Sequence, residues 1–216
     1  MVTQGMGGNR TLPVILYLHI PKAAGTTLGR MLERRVDRSR VYIVRDTRTG
    51  LQEVAALPDA ERENLQLVRG HFTYGVHEAL QRPFEYITML REPVDRVVSH
   101  YYYVLRNPAH YLHARVTSEK MSLKEYALGG LTREMDNGQV RAIAGPFYRD
   151  PRGQCSRDLL ELAKDNLRDR FAVVGLAEKF DETVLLLGER YGWEDMAYTR
   201  QNVTSDRVRL NELPEE

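Results

Sequence analysis

The stretch YLHIPKAAGTTLGRML, residues 17–32, joins an apolar run to an amphipathic segment through a turn of small residues. The apolar run begins at Val14 and stops at Pro21, and its β-branched and aromatic members indicate a buried strand of a parallel sheet. After the turn, Leu28, Met31 and Leu32 recur at helical spacing. A strand that passes through a short turn into a helix is the repeating unit of α/β proteins, so this stretch constrains the fold of the whole chain.

The remaining apolar runs continue that alternation. Strands are predicted over VYIVRD, NLQLVRG, FEYITMLR and FAVVGL, and helices over residues 93–105, SLKEYALGG, residues 156–167 and DETVLLLGERYGW. On the helix that starts at Pro93, an apolar face is predicted that leaves Ser99 outside it; its members are Val94, Val97, Val98, Tyr101 and Leu105. The pattern predicts an α/β fold, a three-layer sandwich with a central, mainly parallel sheet flanked by helices.

The length and the net charge of the chain limit its possible domain organisation and partners. With 216 residues, of which 42% are hydrophobic, the chain suits one globular domain, expected over residues 13–216 after a flexible tail at residues 1–12. The formal net charge is +1, which gives no reason to expect nucleic acid as a partner. Any anion site must therefore be local.

Cysteine content and hydropathy suggest a compartment. Cys155 is the single cysteine, which fits a reducing environment. No apolar run approaches the roughly 20 residues that span a bilayer, and the opening MVTQGMGGNRTLP lacks the apolar centre of a secretory signal. We expect a cytoplasmic protein without a membrane span.

The first turn has the composition of an anion site. Ligands of open α/β sheets bind beyond the carboxyl ends of the strands, where the next helix begins with unpaired N–H groups and a partial positive charge. Gly25 allows close backbone approach, Thr26 and Thr27 add hydroxyls, and Lys22 adds a full charge. Alternatively, Gly25 is an ordinary turn glycine and Lys22 is solvated, since the strict G-x-x-x-x-G-K-[ST] P-loop is absent.

Two motifs in order resemble one enzyme family. HIPKAAGTT resembles the 5′-phosphosulfate loop of carbohydrate sulfotransferases of the heparan-sulfate type, and MLREPVDRVVSHYYY resembles their second signature, R-[DE]-P-x-x-R-x-x-S-x-[YF]. The resemblance implies a P-loop-like fold and the donor 3′-phosphoadenosine 5′-phosphosulfate (PAPS), whose product is 3′-phosphoadenosine 5′-phosphate (PAP). It implies that the 5′ side is bound by Lys22, Ala24, Gly25, Thr26 and Thr27, and that Arg91 and Ser99 bind the 3′-phosphate. For Arg96 a surface ion pair is expected instead.

The segment LVRGHFTYGVHE lies between the two signatures and supplies a candidate base. It resembles the family segment that activates the acceptor, which points to His71 as the general base, with His77 as the second candidate at the acceptor. A neutral imidazole can take the proton of an acceptor hydroxyl. His19 is expected in the core, and His100, His110 and His113 are expected to be structural or solvated. No metal-ligand spacing is present, and no metal is expected.

Later segments carry weaker matches. DNGQVR resembles a family segment that lines the acceptor cleft, which makes Asn137, Gln139 and Arg141 candidates, although Asp136 to Gly138 is also a good turn. TRQNVTSDRVRLNELPEE resembles a loop that folds over the nucleotide, with Arg200 as a contact. Family members usually carry a further helix beyond this point, so a missing C-terminal helix is expected.

The leading hypothesis is therefore a PAPS-dependent sulfotransferase. It would transfer a sulfuryl group by in-line displacement, with Lys22 and His71 as catalytic residues, to a hydroxyl-bearing acceptor for which a saccharide is favoured. A nucleotide-dependent kinase on a related scaffold and a non-catalytic nucleotide-binding module remain alternatives. The identity of the acceptor stays open, because a fold does not choose a substrate.

Overall fold

The computed structural model describes residues 13–145, 151–199 and 201, and within them a single sheet of five parallel strands runs through the molecule. The strands are β1 (Val14–Leu18), β2 (Val41–Val44), β3 (Leu67–Gly70), β4 (Phe84–Leu90) and β5 (Phe171–Leu176), in the spatial order β2-β3-β1-β4-β5. The predicted α/β fold with a parallel central sheet is confirmed. The first strand ends at Leu18, before the apolar run does, and the turn follows at Pro21 and Lys22.

Helices flank this sheet. In chain order they are α1 (Gly25–Glu33), α2 (Gly50–Ala55), α3 (Asp59–Asn64), α4 (Pro93–Arg106), α5 (His113–Ser118), α6 (Leu123–Leu128), α7 (Gly138–Ala144), α8 (Arg157–Arg170) and α9 (Phe180–Tyr191). The long helices α1, α4, α8 and α9 and the capped α6 match the sequence prediction. The sequence pattern did not predict α2, α3, α5 and α7, each of seven residues or fewer. Among the described residues, none of the helices is both long and apolar enough to cross a membrane.

The strand order explains how two distant segments of the chain meet. β1 is the central strand and pairs in parallel with β3 on one side and β4 on the other, so that Leu18 lies opposite both Gly70 and Thr88. From β1 the chain leaves toward β2, whereas from β4 it continues toward β5, which makes the crevice between β1 and β4 a topological switch point. The turns that follow these two strands, at Lys22 and at Arg91, are therefore neighbours.

Helix α4 buries polar side chains, contrary to expectation. Val94 is 51% exposed, although the spacing predicts it on the apolar face. Asp95, Arg96 and Ser99 are each less than 10% exposed. The prediction of a surface ion pair for Arg96 is wrong, because this guanidinium donates to the backbone carbonyls of Pro21 and Glu134 instead. The polar face of α4 thus packs against the turn after β1.

The other face of α4 belongs to a small second core. Val104 packs there with Leu112, Val116 and Tyr126 from α5, α6 and the preceding loop. The main core lies around the sheet, where all five residues of β1 are buried. α4 is therefore held from one side by its own apolar cluster while its other side faces the crevice at the sheet edge.

Candidate active site

The turn between β1 and α1 has an unusual backbone. Lys22 and Ala24 adopt positive φ angles of 66° and 57°, which non-glycine residues rarely do and which cluster at functional sites. Ala24 precedes α1 without a side-chain hydrogen bond to the helix, which begins at Gly25. This geometry is typical of an anion-binding turn.

Gly25 is required by close packing. A Cβ atom at this position would overlap the imidazole ring of His19 and lie 2.7 Å from the Tyr17 hydroxyl. The loop backbone therefore lies directly against two rings of β1 and its extension. The alternative that Gly25 is an ordinary turn glycine does not account for this contact.

The ammonium of Lys22 lies inside the crevice. Its Nζ is 4.1 Å from the centroid of the Tyr103 ring, within the range of a cation–π interaction. Burial lowers the pKa of Lys22 to about 8, and the charges of Arg91 and Arg106 act in the same direction. Lys22 is thus a cation whose charge an incoming anion would stabilise, and the alternative of a solvated lysine does not hold.

Arg91 is fixed at the end of β4 by three groups. Its Nε and Nη2 donate to Asp95 Oδ2 at 2.9 and 2.5 Å, and its Nη1 donates to the carbonyl of Lys22 at 2.9 Å. Gln139 clamps its backbone, accepting from the Arg91 N–H and donating to the Arg91 carbonyl, both at 2.9 Å. The guanidinium is therefore positioned in advance beside the Lys22 turn.

These groups line one cleft of about 740 Å³. Eight of the predicted site residues are brought together there: Lys22, Ala24, Gly25, Thr26, Thr27, His71, Arg91 and Ser99. Ser99 is 7% exposed, and its hydroxyl has no hydrogen-bond partner among the described residues. The cleft thus combines backbone amides, hydroxyls, an ammonium and a guanidinium, a donor set that fits a ligand with two anionic ends.

His71 enters the cleft from the end of β3 with a defined tautomer. Its Nδ1 lies 2.8 Å from the carbonyl oxygen of His19, and because a carbonyl only accepts, Nδ1 carries the proton. The lone pair of the neutral ring is therefore on Nε2. The ring is exposed to the cleft, yet the surrounding protein lowers its pKa from the ordinary 6.5, an effect that the His19 carbonyl and Glu134 partly offset. The lowered pKa favours the neutral ring of His71.

His19 lines the same cleft but is a poor base. It was expected in the core, and it is half-buried, stacked on Tyr17 at 5.6 Å and tilted against His71 at 4.6 Å between ring centroids. Burial first, and then the neighbouring charges of His71, Arg69 and Lys22, lower its pKa to about 3. Its role in this site is to shape the floor and to fix the tautomer of His71.

The residues predicted to line an acceptor cleft lie elsewhere. Gln139 holds the backbone of Arg91, and Asn137 is an exposed residue that precedes α7 in a left-handed conformation. Arg141 is fully buried and donates to Asp136 and to the carbonyl of Pro151. None of the three lines the cleft, and the contacts of Gln139 and Arg141 are structural.

His77 is also outside the cleft. Its Nδ1 lies 3.1 Å from the Tyr86 hydroxyl, and its ring packs on Phe84 at the start of β4. The cleft lies at the other end of that strand, beside Arg91. The structure therefore does not bring His77 together with His71.

The nucleotide loop predicted near the end of the chain is only partly described. Arg200 lies outside the described residues, so its predicted contact stays a prediction. Its neighbour Gln201 lines the cleft, donates from its backbone N–H to the Thr27 hydroxyl at 3.0 Å, and accepts from Arg30 at 2.6 Å. This contact brings the late segment to the first turn of α1.

Several lining residues were not foreseen as site residues. Tyr103, His110, Tyr111 and Glu134 line the side of the cleft next to Lys22. His110 was expected to be structural or solvated, and Glu134 was not predicted to be a site residue. The only available signal was the density of aromatic residues and histidines in YYYVLRNPAHYLH after the second signature. In the described ranges, no group of His, Cys, Asp and Glu is arranged to hold a metal ion.

Together, the fold and the cleft place donors suited to a doubly anionic ligand at the switch point of a parallel sheet. A family model described as the sulfotransferase family matches residues 11–149, well over half of the chain. The chain belongs to the sulfotransferase family. The matched range includes the Lys22 turn, the Arg91 turn and His71.

Similar proteins agree with this assignment. Heparan sulfate 2-O-sulfotransferase 1 of Gallus gallus is 28% identical over 195 residues, and heparan-sulfate 6-O-sulfotransferase 1-A of Danio rerio is 30% identical over 223 residues. These alignments cover 81% and 82% of the chain, and the chain spans 53% of the length of each relative. The crystal structure of a mouse sulfotransferase, SULT7A1 complexed with PAP, aligns with 79% of this chain and with 73% of the SULT7A1 chain, at 15% sequence identity. Its TM-score of 0.33 is too low to bear on the assignment.

Proposed function

We propose that this chain transfers a sulfuryl group from PAPS to an acceptor hydroxyl, and that the acceptor is a saccharide. Membership of the sulfotransferase family supports the reaction, and the heparan sulfate sulfotransferases among its relatives support a carbohydrate acceptor. The expected cytoplasmic location stays a prediction.

The observation that carries the proposal is the meeting of Lys22 and Arg91 in one cleft. Nη1 of Arg91 is 2.9 Å from the carbonyl of Lys22, so that the two turns form one continuous surface. PAPS carries a phosphosulfate on the 5′ oxygen and a phosphate on the 3′ oxygen of the same ribose. Lys22 with the amides of Ala24 to Thr27 would hold the first group, and Arg91 with Ser99 would hold the second.

In this proposal, different residues of the cleft carry out different parts of the reaction. PAPS supplies the activated sulfuryl group and PAP as its leaving group. His71 takes the acceptor's hydroxyl proton on Nε2 while the acceptor oxygen bonds to sulfur and the bond from sulfur to the bridging phosphate oxygen breaks. Lys22 stabilises the negative charge that develops on that bridging oxygen. By analogy with phosphoryl transfer, positioning and charge stabilisation supply most of the acceleration.

Calorimetry and label transfer test this proposal. We expect the full chain to bind PAP in the presence of EDTA, and to bind it more tightly than it binds ATP with magnesium. We also expect transfer of ³⁵S-labelled sulfate from PAPS to an oligosaccharide mixture. Preference for ATP with magnesium would favour a kinase, and tight PAP binding without transfer to any acceptor would favour a non-catalytic module.

A further inference from the structure

The wall of the cleft next to Lys22 is aromatic. The Tyr103 ring, which lies beneath the Lys22 ammonium, is 5.6 Å from the His110 ring, and His110 stacks on Tyr111 at 4.6 Å with an interplanar angle of 28°. Tyr111 is 69% exposed. A continuous series of rings therefore leads from the catalytic lysine to the open rim of the cleft, where it offers a flat face to the apolar side of a sugar ring.

His110 adds a directed hydrogen-bond donor to this wall. The backbone N–H of Leu112 donates to Nδ1 of His110 at 3.2 Å, so the neutral ring carries its proton on Nε2. This is the opposite tautomer from His71. One side of the cleft thus presents an imidazole that accepts a proton, and the aromatic wall presents an imidazole that donates a hydrogen bond.

Glu134 differs in its contacts from the other carboxylates that line the cleft. The other carboxylates that line it have partners: Asp95 with Arg91, Glu178 with the backbone of Glu92, Asp181 with Tyr198 and Glu182 with Lys179. Within the described part of the chain, the Glu134 side chain has neither a hydrogen bond nor an ion pair, and it is half-buried. A carboxylate is unfavourable beside a phosphosulfate, so this side chain belongs to the acceptor part of the cleft.

The position of Glu134 is fixed by the architecture. Buried Arg96 donates to the backbone carbonyl of Glu134 with one Nη and approaches the carbonyl of Pro21 with the other at 3.4 Å. The loop of Glu134 is thereby tied to the Lys22 turn. Its carboxylate is also close enough to His71, His110 and the buried Arg96 guanidinium to act on the charge of each, although it forms no ion pair with Arg96.

Within the described ranges, the cations that line the cleft leave no counter-charge for an acidic sugar. Among the described residues that line it, the lysines and arginines are Lys22, Arg91 and Lys179. Lys22 and Arg91 belong to the two donor-binding turns, and Lys179 is paired with Glu182 at 3.1 Å. An acceptor with a uronate or sulfate at the reacting unit would meet the unpaired Glu134 carboxylate instead.

We propose that Glu134, His110 and Tyr111 form an acceptor subsite that selects an uncharged sugar unit over an acidic one. The Glu134 carboxylate accepts a hydrogen bond from a hydroxyl next to the reacting one, His110 donates to a sugar oxygen, and the Tyr111 ring covers the apolar face. This inference rests on the proposed sulfuryl transfer, and it narrows the acceptor to a class that the names of the heparan sulfate relatives do not indicate.

The test compares a neutral with an acidic acceptor that share the same hexosamine. Chitotetraose and a hyaluronan tetrasaccharide are each offered to the full chain with ³⁵S-labelled PAPS, and kcat/KM is measured for both. We expect at least about a tenfold preference for chitotetraose, because like charges at a binding site are strongly disfavoured. Glu134→Gln keeps the shape but removes the charge, so it should bring the two values close together by raising the one for hyaluronan.

Two further variants complete the experiment. Glu189→Gln removes an exposed carboxylate on α9 outside the cleft and should leave the preference as it is in the unmodified chain. Tyr111→Ala should raise KM for chitotetraose without changing KM for PAPS, whereas Tyr111→Phe should change neither.

The inference fails if the unmodified chain prefers hyaluronan, if Glu134→Gln alters the preference no more than Glu189→Gln does, or if neither tetrasaccharide is labelled. Calorimetry with PAP separates these failures from a failure of the proposed function. If PAP still binds in EDTA, the donor side of the proposal stands while the acceptor subsite is refuted.

Discussion

The guanidinium of Arg91 donates a hydrogen bond of 2.9 Å to the backbone carbonyl of Lys22, and this bond joins two turns that are 69 residues apart in the chain. The parallel pairing of β1 with β4 makes the contact possible, since the carboxyl ends of both strands open at the same edge. The Lys22 turn, the Arg91 turn and the His71 segment are in this way three walls of a single cleft.

The pH dependence of activity should be bell-shaped. His71 must be neutral to accept a proton, and the surrounding protein holds its pKa below the ordinary 6.5 even though the ring is open to the cleft. Lys22 must be protonated, and burial lowers its pKa to about 8. We expect kcat/KM to rise with pH up to the lowered pKa of His71, to remain level near neutral pH, and to fall above about 8. In Lys22→Arg the alkaline fall should disappear, and a fall that persists unchanged there would exclude Lys22 as its source.

Replacing the base should remove turnover but not donor binding. His71→Asn keeps a side-chain N–H that can donate to the His19 carbonyl but has no basic nitrogen that could accept a proton near neutral pH. We expect kcat to fall by about a hundredfold to ten-thousandfold, with the dissociation constant of PAP unchanged.

A matched control is available for this substitution. His113 also places its Nδ1 against a backbone carbonyl, that of Val104 at 2.9 Å, but it is outside the cleft. His113→Asn should retain kcat. Comparable losses in both variants would mean that the His71 substitution acts through the structure rather than through the proton.

Gln139 should affect the donor site rather than the acceptor site. Its side chain satisfies both the N–H and the carbonyl of Arg91, so Gln139→Leu leaves two partly buried backbone groups without partners. We expect the free energy of unfolding to fall by about 1–3 kcal/mol and PAP to bind more weakly, while KM for the acceptor changes little. Gln52→Leu on the exposed side of α2 is the control. A raised KM for the acceptor with unchanged PAP affinity would restore the acceptor role suggested by the sequence.

Gly25 should tolerate no side chain. The Cβ of Gly25→Ala would collide with the His19 ring and the Tyr17 hydroxyl, and relieving the collision would displace the anion-binding turn. We expect a loss of about 1–3 kcal/mol in the free energy of unfolding, measured by urea denaturation, together with loss of PAP binding. Unaltered PAP affinity in a stable variant would show that this turn does not contact the nucleotide.

The sequence was informative where a residue type is dictated by local geometry. The first strand, its turn and α1 follow from the apolar run, the glycine and the helical spacing, and the Pro93 start of α4 follows from the fixed φ of proline. The residues of both turns that line the cleft could therefore be named by number. Short helices such as α5 and α7 could not, because a segment of seven residues or fewer is stable only through its tertiary contacts.

The acceptor side of the cleft was predicted least well. Gln139 and Arg141 are polar residues in a motif, and nothing in their spacing shows that one would clamp a backbone and the other would be fully buried. The polar residues of α4 were predicted on the surface for a related reason, since helical spacing assigns only apolar residues to the interior. Arg96 is nevertheless buried, because it donates hydrogen bonds to two loops from distant parts of the chain. Such contacts exist only once the sheet order is known.

The most direct test of the two-ended cleft is a calorimetric comparison of PAP with AMP, which lacks the 3′-phosphate. Arg91→Lys replaces the forked guanidinium by a point charge, and it should weaken PAP about tenfold to a hundredfold while leaving the affinity for AMP unchanged. Lys22→Met should weaken both nucleotides, and Arg115→Lys on exposed α5 should weaken neither. If Arg91→Lys weakens AMP as much as PAP, then Arg91 does not hold the 3′-phosphate and the two turns do not grip opposite ends of one nucleotide.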